Sequence, residues 1–266
     1  MKIIGSLIVA AVFFTIPVAQ AQTPAATDKP CDCDQLNTKL ANAQKTLQDW
    51  PNIARYHDAN ASVQPPTKDE KRVVFMGDSI TDAWVQPQFG GFFPGKPYLD
   101  RGISGQTTPQ MLIRFRPDVI ALQPKVVVIL AGTNDLAGNT GPMTVDQIEG
   151  NLQSMDELAH ANKIRVVLAS VLPVSNYGHD RDGKPVDMRI KREPAKIIEL
   201  NAWIKKYAAE HGDIYLDYFS ATVDEHGLFK AEISDDGLHP NAKGYAIMGP
   251  LAEQAIQQAF KKAKVK

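Results

Sequence analysis

The sequence predicts an α/β domain, a parallel sheet covered by helices on both faces. Three observations carry that expectation. Apolar runs without polar interruption, Val73–Met76 and Val126–Leu130, read as strands buried on both sides. Segments of helical period alternate with such runs from Lys71 onward. Three of the strands lead into turns rich in Gly, Ser, Asp or Asn, as in Gly77-Asp78-Ser79, Gly102-Ile103-Ser104-Gly105 and Gly132-Thr133-Asn134.

Taken in order, the chain opens on a processing signal. Lys2 is a minimal positive start, Ile3 to Val18 is apolar, and Ala19-Gln20-Ala21 fits an A-x-A cleavage site, so residues 1–21 read as a cleaved signal peptide. An uncleaved anchor is the alternative, since the apolar run approaches the length of a short membrane span. No Leu-Ala-Gly precedes Cys31, which argues against lipid attachment. Residues 22–70 form an N-terminal extension. Its first part is polar, with Pro24 and Pro30, and is expected to be mobile. Leu36, Leu40, Ala43, Leu47 and Trp50 then recur at helical spacing up to Pro51, and residues 51–70 read as a linker.

The main domain, 71–262, begins at the first strand. Tyr98–Ser104 is the second strand, and Pro109–Leu122 is a helix in which Pro117 warns of a break. The strand Val126–Leu130 is followed by a helix at Val145–Ala161 and a strand at Ile164–Leu172. Pro194–Glu210 is a helix opened by proline and closed by Gly212. Ile214–Leu216 is a short strand, and Ala242–Phe260 is the last helix. Loops 84–97 and 173–192 are long and fall where α/β sheets bind ligands. Their aromatics, Trp84, Phe89, Phe92, Phe93 and Tyr177, either line a groove or cover the domain.

Composition narrows the function. Of 266 residues, 44% are hydrophobic and 22% charged, an ordinary globular mix, and the formal net charge of −1 gives no electrostatic case for a nucleic-acid partner. The cysteines Cys31 and Cys33 stand in C-D-C, too close for an unstrained disulfide with each other. Two such ligands with no histidine nearby make a weak metal site.

The chemistry concentrates at turns. A buried strand, Gly77 and the helix-start residues Asp78, Ser79 and Thr81 present a serine hydroxyl where free N–H groups favour negative charge. A serine nucleophile needs such a place because its attack generates an oxyanion. A plain helix-capping serine would have the same local sequence. Further along, Gly105 lets a backbone N–H approach a ligand, and Asn134 brings an amide to the same sheet edge. Asp236-Gly237-Leu238-His239 spaces a carboxylate one turn from an imidazole, which it can hold in one tautomer.

In these residues the chain resembles the SGNH hydrolases, also called GDSL esterases and lipases. Their blocks stand in order as Gly77-Asp78-Ser79-Ile80, Gly105, Gly132-Thr133-Asn134-Asp135 and Asp236-Gly237-Leu238-His239-Pro240, over residues 71–260. Within the family the chain looks closest to the platelet-activating-factor acetylhydrolase-like bacterial esterases. The resemblance implies a flavodoxin-like three-layer α/β/α sandwich. It also implies Ser79 as nucleophile, His239 as base and Asp236 as its orienting acid, with an oxyanion hole from Ser79, Gly105 and Asn134. No cofactor and no metal are implied. The expected partner is a small-molecule or carbohydrate ester, met in the periplasm or outside the cell, with no stable membrane anchor after signal cleavage. Two rivals stand beside a carboxylic, short-chain ester hydrolase: a carbohydrate O-acetyl esterase and a non-catalytic carbohydrate-binding module of the same fold. Ile80 for the usual Leu and Gln106 for a common Asp are mild departures.

Other motifs read as structural. His57, His160, His179, His211 and His226 are scattered without ligand spacing. Asp180-Arg181-Asp182-Gly183 lacks the closing Glu of a calcium loop. Gly90–Lys96 matches a phosphate-loop spacing, but Pro97 follows where Ser or Thr is required.

Overall fold

The computed structural model describes residues 32–179 and 182–262. Residues 1–31, which include the expected signal peptide and Cys31, the Asp180-Arg181 pair and residues 263–266 lie outside the described residues. Those residues fall into two compact units, one ending at Ala43 and one starting at Gln44. Helix α1 (Cys33–Gln48) runs from the first into the second. Among the described residues, no helix is long and apolar enough to cross a membrane.

The segment expected to be a linker contains a 3-10 turn, Ile53–Tyr56, and helix α2 (His57–Ser62). The periodicity there is too short to see, and the helix is held by tertiary contacts instead. Asn60 Nδ2 donates to the Pro117 carbonyl at 3.2 Å and to Asp118 Oδ1 at 2.6 Å, while Asn60 Oδ1 accepts from Arg101 Nε at 2.8 Å.

The core is a sheet of five parallel strands. In chain order they are β1 (Val73–Gly77), β2 (Tyr98–Gly102), β3 (Val126–Leu130), β4 (Arg165–Ala169) and, after a small hairpin of β5 (Gly178–His179) and β6 (Pro185–Val186), β7 (Ile214–Leu216). Their spatial order is β2-β1-β3-β4-β7. Every residue of β1 and β3 is buried, as their unbroken apolar sequences require. Alternation sorts the side chains to two faces. Val74, Met76, Val127 and Ile129 join one core with α4 (Thr108–Asp118), α6 (Val145–Ala161) and α7 (Pro194–His211). Val73, Phe75, Val126 and Val128 join the other with α9 (Ala242–Lys261). The result is the expected three-layer α/β/α sandwich. Three short helices, α3 (Ser79–Asp82), α5 (Thr133–Leu136) and α8 (Tyr218–Thr222), follow β1, β3 and β7 directly.

Some boundaries differ from the sequence reading. β2 ends at Gly102 and β4 at Ala169, both earlier than their apolar runs suggest. α4 stops at Asp118, just past Pro117, and a 3-10 turn, Ile120–Leu122, completes the expected helix. The aromatics of loop 84–97 pack over the domain, and Trp84 and Phe93 also border a small open pocket with Gly249, Pro250 and Glu253. Trp84 is buried, and its ring meets those of Phe75, Phe92, Phe93 and Tyr245 at centroid distances of 4.9–6.2 Å. Tyr177 in loop 173–192 donates its hydroxyl to the Phe229 carbonyl at 2.7 Å.

Register places the site. Gly77, the last residue of β1, pairs with Gly102 on one side and Leu130 on the other. Three strands therefore end at one level, and the turns that follow each of them meet at one sheet edge.

Candidate active site

The turn after β1 is built by Asp78. Its Oδ1 accepts from the Ile80 N–H at 3.0 Å and caps α3, which starts at Ser79. Asp78 is buried, and burial pushes its carboxyl up to about 6 against the opposing effect of that hydrogen bond. Two residues beyond the strand, the Ser79 Oγ lies 2.9 Å from His239 Nε2. The His239 Nδ1 lies 2.6 Å from Asp236 Oδ2. Burial works against the Asp236 charge, yet the His239 ring and the N–H groups of His239 and Leu238 hold its carboxyl down at about 2. Those N–H groups donate to Asp236 Oδ1 at 2.7 and 2.9 Å.

This charge state fixes the tautomer. An ionised carboxylate only accepts, so His239 Nδ1 carries the proton and donates it, and Nε2 is left to accept from the Ser79 hydroxyl. The three residues expected from the sequence thus form one hydrogen-bonded chain. The loop that holds Asp236 and His239 is tied at both ends. The Ser175 N–H donates to the Gly237 carbonyl at 2.9 Å, and the Asn241 N–H to the Ile233 carbonyl at 2.9 Å. The β5 hairpin presses on it from the side. A Cβ at Gly178 would stand 1.9 Å from the Asp236 carbonyl oxygen, so only glycine fits there.

Gly105 follows β2 with a φ of +80°, a left-handed conformation that favours glycine. Asn139 Nδ2 fixes the loop by donating to the Gly105 carbonyl at 3.0 Å. The N–H groups of Ser79 and Gly105 have no hydrogen-bond partner among the described residues. Asn134, in α5 after β3, is buried. Its Nδ2 donates to the Gln106 carbonyl at 3.0 Å and points its other hydrogen toward Asp78 Oδ2 at a long 3.4 Å. Its neighbour Asp135 accepts from the Thr108 N–H at 2.9 Å and caps α4.

Sequence reasoning missed the arginines behind these groups. Arg192, buried at the end of loop 173–192, donates from Nη2 to Asn134 Oδ1 at 3.3 Å and from Nε to Thr133 Oγ1 at 3.1 Å. It can meet only the oxygen of the amide, so it turns the NH2 end of Asn134 toward Gln106 and Asp78. Arg114 is fully buried on α4, pairs with Asp118 at 3.0 Å and donates to the Gly77 carbonyl at 3.0 Å and to Gln106 Oε1. Gln106, whose departure from the family pattern looked like loop detail, therefore joins this buried ion pair to the loop of Gly105.

Metal spacing also needs a correction. His160 does not stand alone. Asp156, His160 and Asp213 place their ligand atoms within 4.8 Å of one another, with His160 Nε2 at 2.8 Å from Asp213 Oδ1 and 3.5 Å from Asp156 Oδ1. Asp213 precedes β7 and His160 precedes β4, so this group sits at the opposite sheet edge from Ser79.

The family model described as the GDSL-like lipase/acylhydrolase family matches residues 75–247. A GDSL-like lipase from Bacteroides thetaiotaomicron VPI-5482 superposes with a TM-score of 0.71 at 46% identity, covering 79% of this chain and 98% of that one. A candidate platelet activating factor from Streptococcus pneumonia shares the fold, with a TM-score of 0.66 at 23% identity over 84% of this chain and 99% of that one. Two curated relatives also match. An acetylxylan esterase from Geobacillus stearothermophilus is 23% identical over 208 residues, 67% of this chain and 90% of that protein. The uncharacterized lipoprotein YqeF of Bacillus subtilis is 29% identical over 122 residues, and the match spans 45% of this chain and about half (49%) of that protein. With the marker blocks on one sheet edge and the family model spanning most of the chain, the protein belongs to the GDSL-like lipase/acylhydrolase family.

Proposed function

We propose that the protein is an exported serine ester hydrolase that works through an acyl-enzyme. The observation that carries this reading is the hydrogen-bonded chain from Ser79 Oγ through the His239 ring to Asp236, at 2.9 and 2.6 Å. Ser79 Oγ attacks the ester carbonyl while His239 Nε2 takes its proton, and the Asp236 carboxylate stabilises the imidazolium. The oxyanion is held by the N–H groups of Ser79 and Gly105 and by Asn134 Nδ2, whose long 3.4 Å contact with Asp78 Oδ2 gives way to it. His239 returns the proton to the leaving alcohol oxygen. Water then gives a proton to His239 as it attacks the acyl group, and His239 passes that proton to Ser79 Oγ as the bond to the acyl carbon breaks and the carboxylic acid leaves. Export is supported by the N-terminal sequence and by the match to a lipoprotein.

The acyl group is short. No stretch after the signal peptide resembles a long apolar lid, and an alkyl tunnel would need a continuous apolar lining. Each methylene buried in such a tunnel would add about 0.8 kcal/mol to binding. On p-nitrophenyl esters of increasing length, kcat/KM is expected to level off or fall beyond about four carbons, once added methylenes stay in water. A steady rise through octanoyl to palmitoyl would make the protein a lipase instead. Chelation by EDTA should leave turnover unchanged, since no step uses a metal. Metal-reversible inhibition would point to Asp156, His160 and Asp213 and count against the scheme. A second reading, an O-acetyl esterase acting on carbohydrate, is supported by the likeness to an acetylxylan esterase.

A further inference from the structure

Beside the loop of Gly105 lies a cleft of about 940 Å³, and its far wall is the stretch from Lys45 to Ala54. That stretch precedes the region matched by the family model, which begins at residue 75. We propose that this cleft binds the sugar chain of an O-acylated oligosaccharide, so that residues 45–54 of the N-terminal extension select the alcohol half of the ester. The proposal rests on the ester-hydrolase reading of Ser79 and goes beyond it by assigning the substrate class and the segment that recognises it.

The wall is built onto the catalytic loop itself. Gln106 and Gln110 are buried, and their amides donate to the carbonyls of Pro51 at 2.6 Å and Trp50 at 2.7 Å. The carboxylate of Asp49 accepts from the N–H groups of Ile53 and Ala54 at 2.8 and 2.9 Å, which closes the turn behind Trp50. Residues 49–54 are therefore held in place by the same loop that carries Gly105. A substrate seated against them is positioned relative to Ser79 with little further loss of freedom.

The lining combines many polar side chains with a similar share of apolar surface, including one large ring. Gln48, Asn52, Asn139 and Thr140 supply amides and a hydroxyl, Trp50 supplies the ring, and Lys45 and Lys191 supply cations with no ion-pair partner among the described residues. Asp49, the acidic group of the wall, already has both carboxylate oxygens engaged. Asn139 Nδ2 and Thr140 Oγ1 already bond within the protein, but an alkyl chain laid here would desolvate Gln48, Asn52 and the two cations without offering them a partner. A pyranose offers hydroxyls for them and a flat C–H face for an indole. The cleft is also far larger than a short acyl group requires, and it falls in the size range of pockets that take larger ligands.

Two measurements test this separately from the chemistry. The first uses full-length Ser79→Ala protein and unacylated oligosaccharides of xylose, mannose and galacturonic acid, titrated by calorimetry and by tryptophan fluorescence. At least one is expected to bind, Trp50→Ala in the same background to weaken it roughly tenfold or more, and Trp50→Phe to restore most of it. Absence of binding by all three, or affinity indifferent to Trp50, overturns the proposal. The second compares kcat/KM for acetylated oligosaccharide with that for p-nitrophenyl acetate in otherwise wild-type protein. Trp50→Ala and Lys191→Ala should lower the ratio of the two by about tenfold, whereas an equal loss on both substrates would reduce Trp50 to a structural role. If p-nitrophenyl acetate is hydrolysed without need of Ser79, the chemistry fails while the titration still judges the cleft.

Discussion

Two aspartate–histidine groups sit at opposite edges of the same sheet, and their surroundings separate them. At the edge where the strands end, Asp236 and His239 are three residues apart on one loop, and the His239 ring has Asp236 on one nitrogen and Ser79 on the other. At the edge where the strands begin, His160 lies between two carboxylates, Asp156 on the same helix and Asp213 before β7. Asp236 accepts two backbone N–H bonds as well as the ring, and its carboxyl sits low, at about 2. Asp213 is pushed up instead, first by burial and then by the nearby Asp156 charge, with His160 pulling the other way. An Asp–His contact is thus common ground. What makes one of them fit for proton transfer is a hydroxyl on the second nitrogen and a carboxylate kept ionised.

Deleting that second partner gives the largest expected effect. Ser79→Ala and His239→Ala should each lower kcat by about 10⁶-fold, the scale on which members of such a triad act together. His160→Ala should leave kcat per folded molecule within about twofold, although it breaks a contact of similar length. Rates are read beside thermal melting, so that unfolding is not mistaken for lost chemistry. Near-wild-type turnover in a folded Ser79→Ala protein would end the comparison, because neither edge would then be catalytic.

The next effect concerns the support of the proposed oxyanion donor. Asn134→Ala should lower kcat by roughly 10²–10³-fold with little change in KM, since the bond is made mainly in the transition state. Arg192→Met frees the amide of Asn134 to turn, and we expect about a tenfold loss of kcat, the scale of one hydrogen bond to a charged group. Because Arg192 acts through Asn134, the double variant should be no slower than Asn134→Ala alone. Additive losses would mean that Arg192 touches the substrate itself.

How far the sequence carries the reader follows the same division. Val126–Leu130 and Val145–Ala161 have the boundaries in the structure that their patterns indicate, since no proline or long-range contact competes there. Ser79, Gly105 and Asn134 were legible because each follows a strand by two to four residues, and Gly77, Gly102 and Leu130 stand at one level. Arg192 was not legible. It bonds a side chain 58 residues earlier, and one arginine beside Lys191 in a loop has no periodicity to betray it. The group of Asp156 and His160 was missed, since its third member lies 53 residues beyond His160. The helix of residues 57–62 is equally hidden, since Asn60 bonds to Asp118 at the far end of α4.

The smallest effect is on stability, and here the two edges should respond to pH with opposite signs. The folded Asp236 carboxyl sits below the ordinary carboxylate value of about 4. Its charge therefore stabilises the fold fully above that pH, and the contribution fades as pH falls toward 2. The folded Asp213 carboxyl sits above its ordinary value, so ionising it costs the folded state, and stability declines as pH rises from about 4. Melting temperatures of Asp236→Asn and Asp213→Asn, each subtracted from wild type and followed from pH 3 to pH 8, separate the two. For Asp236→Asn the difference should grow with pH and then level off. For Asp213→Asn it should shrink or reverse, because the amide removes the like charge beside Asp156 while keeping an oxygen for His160 to bond. The expected span is a few degrees, as about 1 kcal/mol shifts the midpoint of a chain this size by about 2–4 °C. Two curves of the same sign would mean that Asp213, like Asp236, is favoured as a carboxylate in the fold, and the two edges would then differ in location and not in electrostatics.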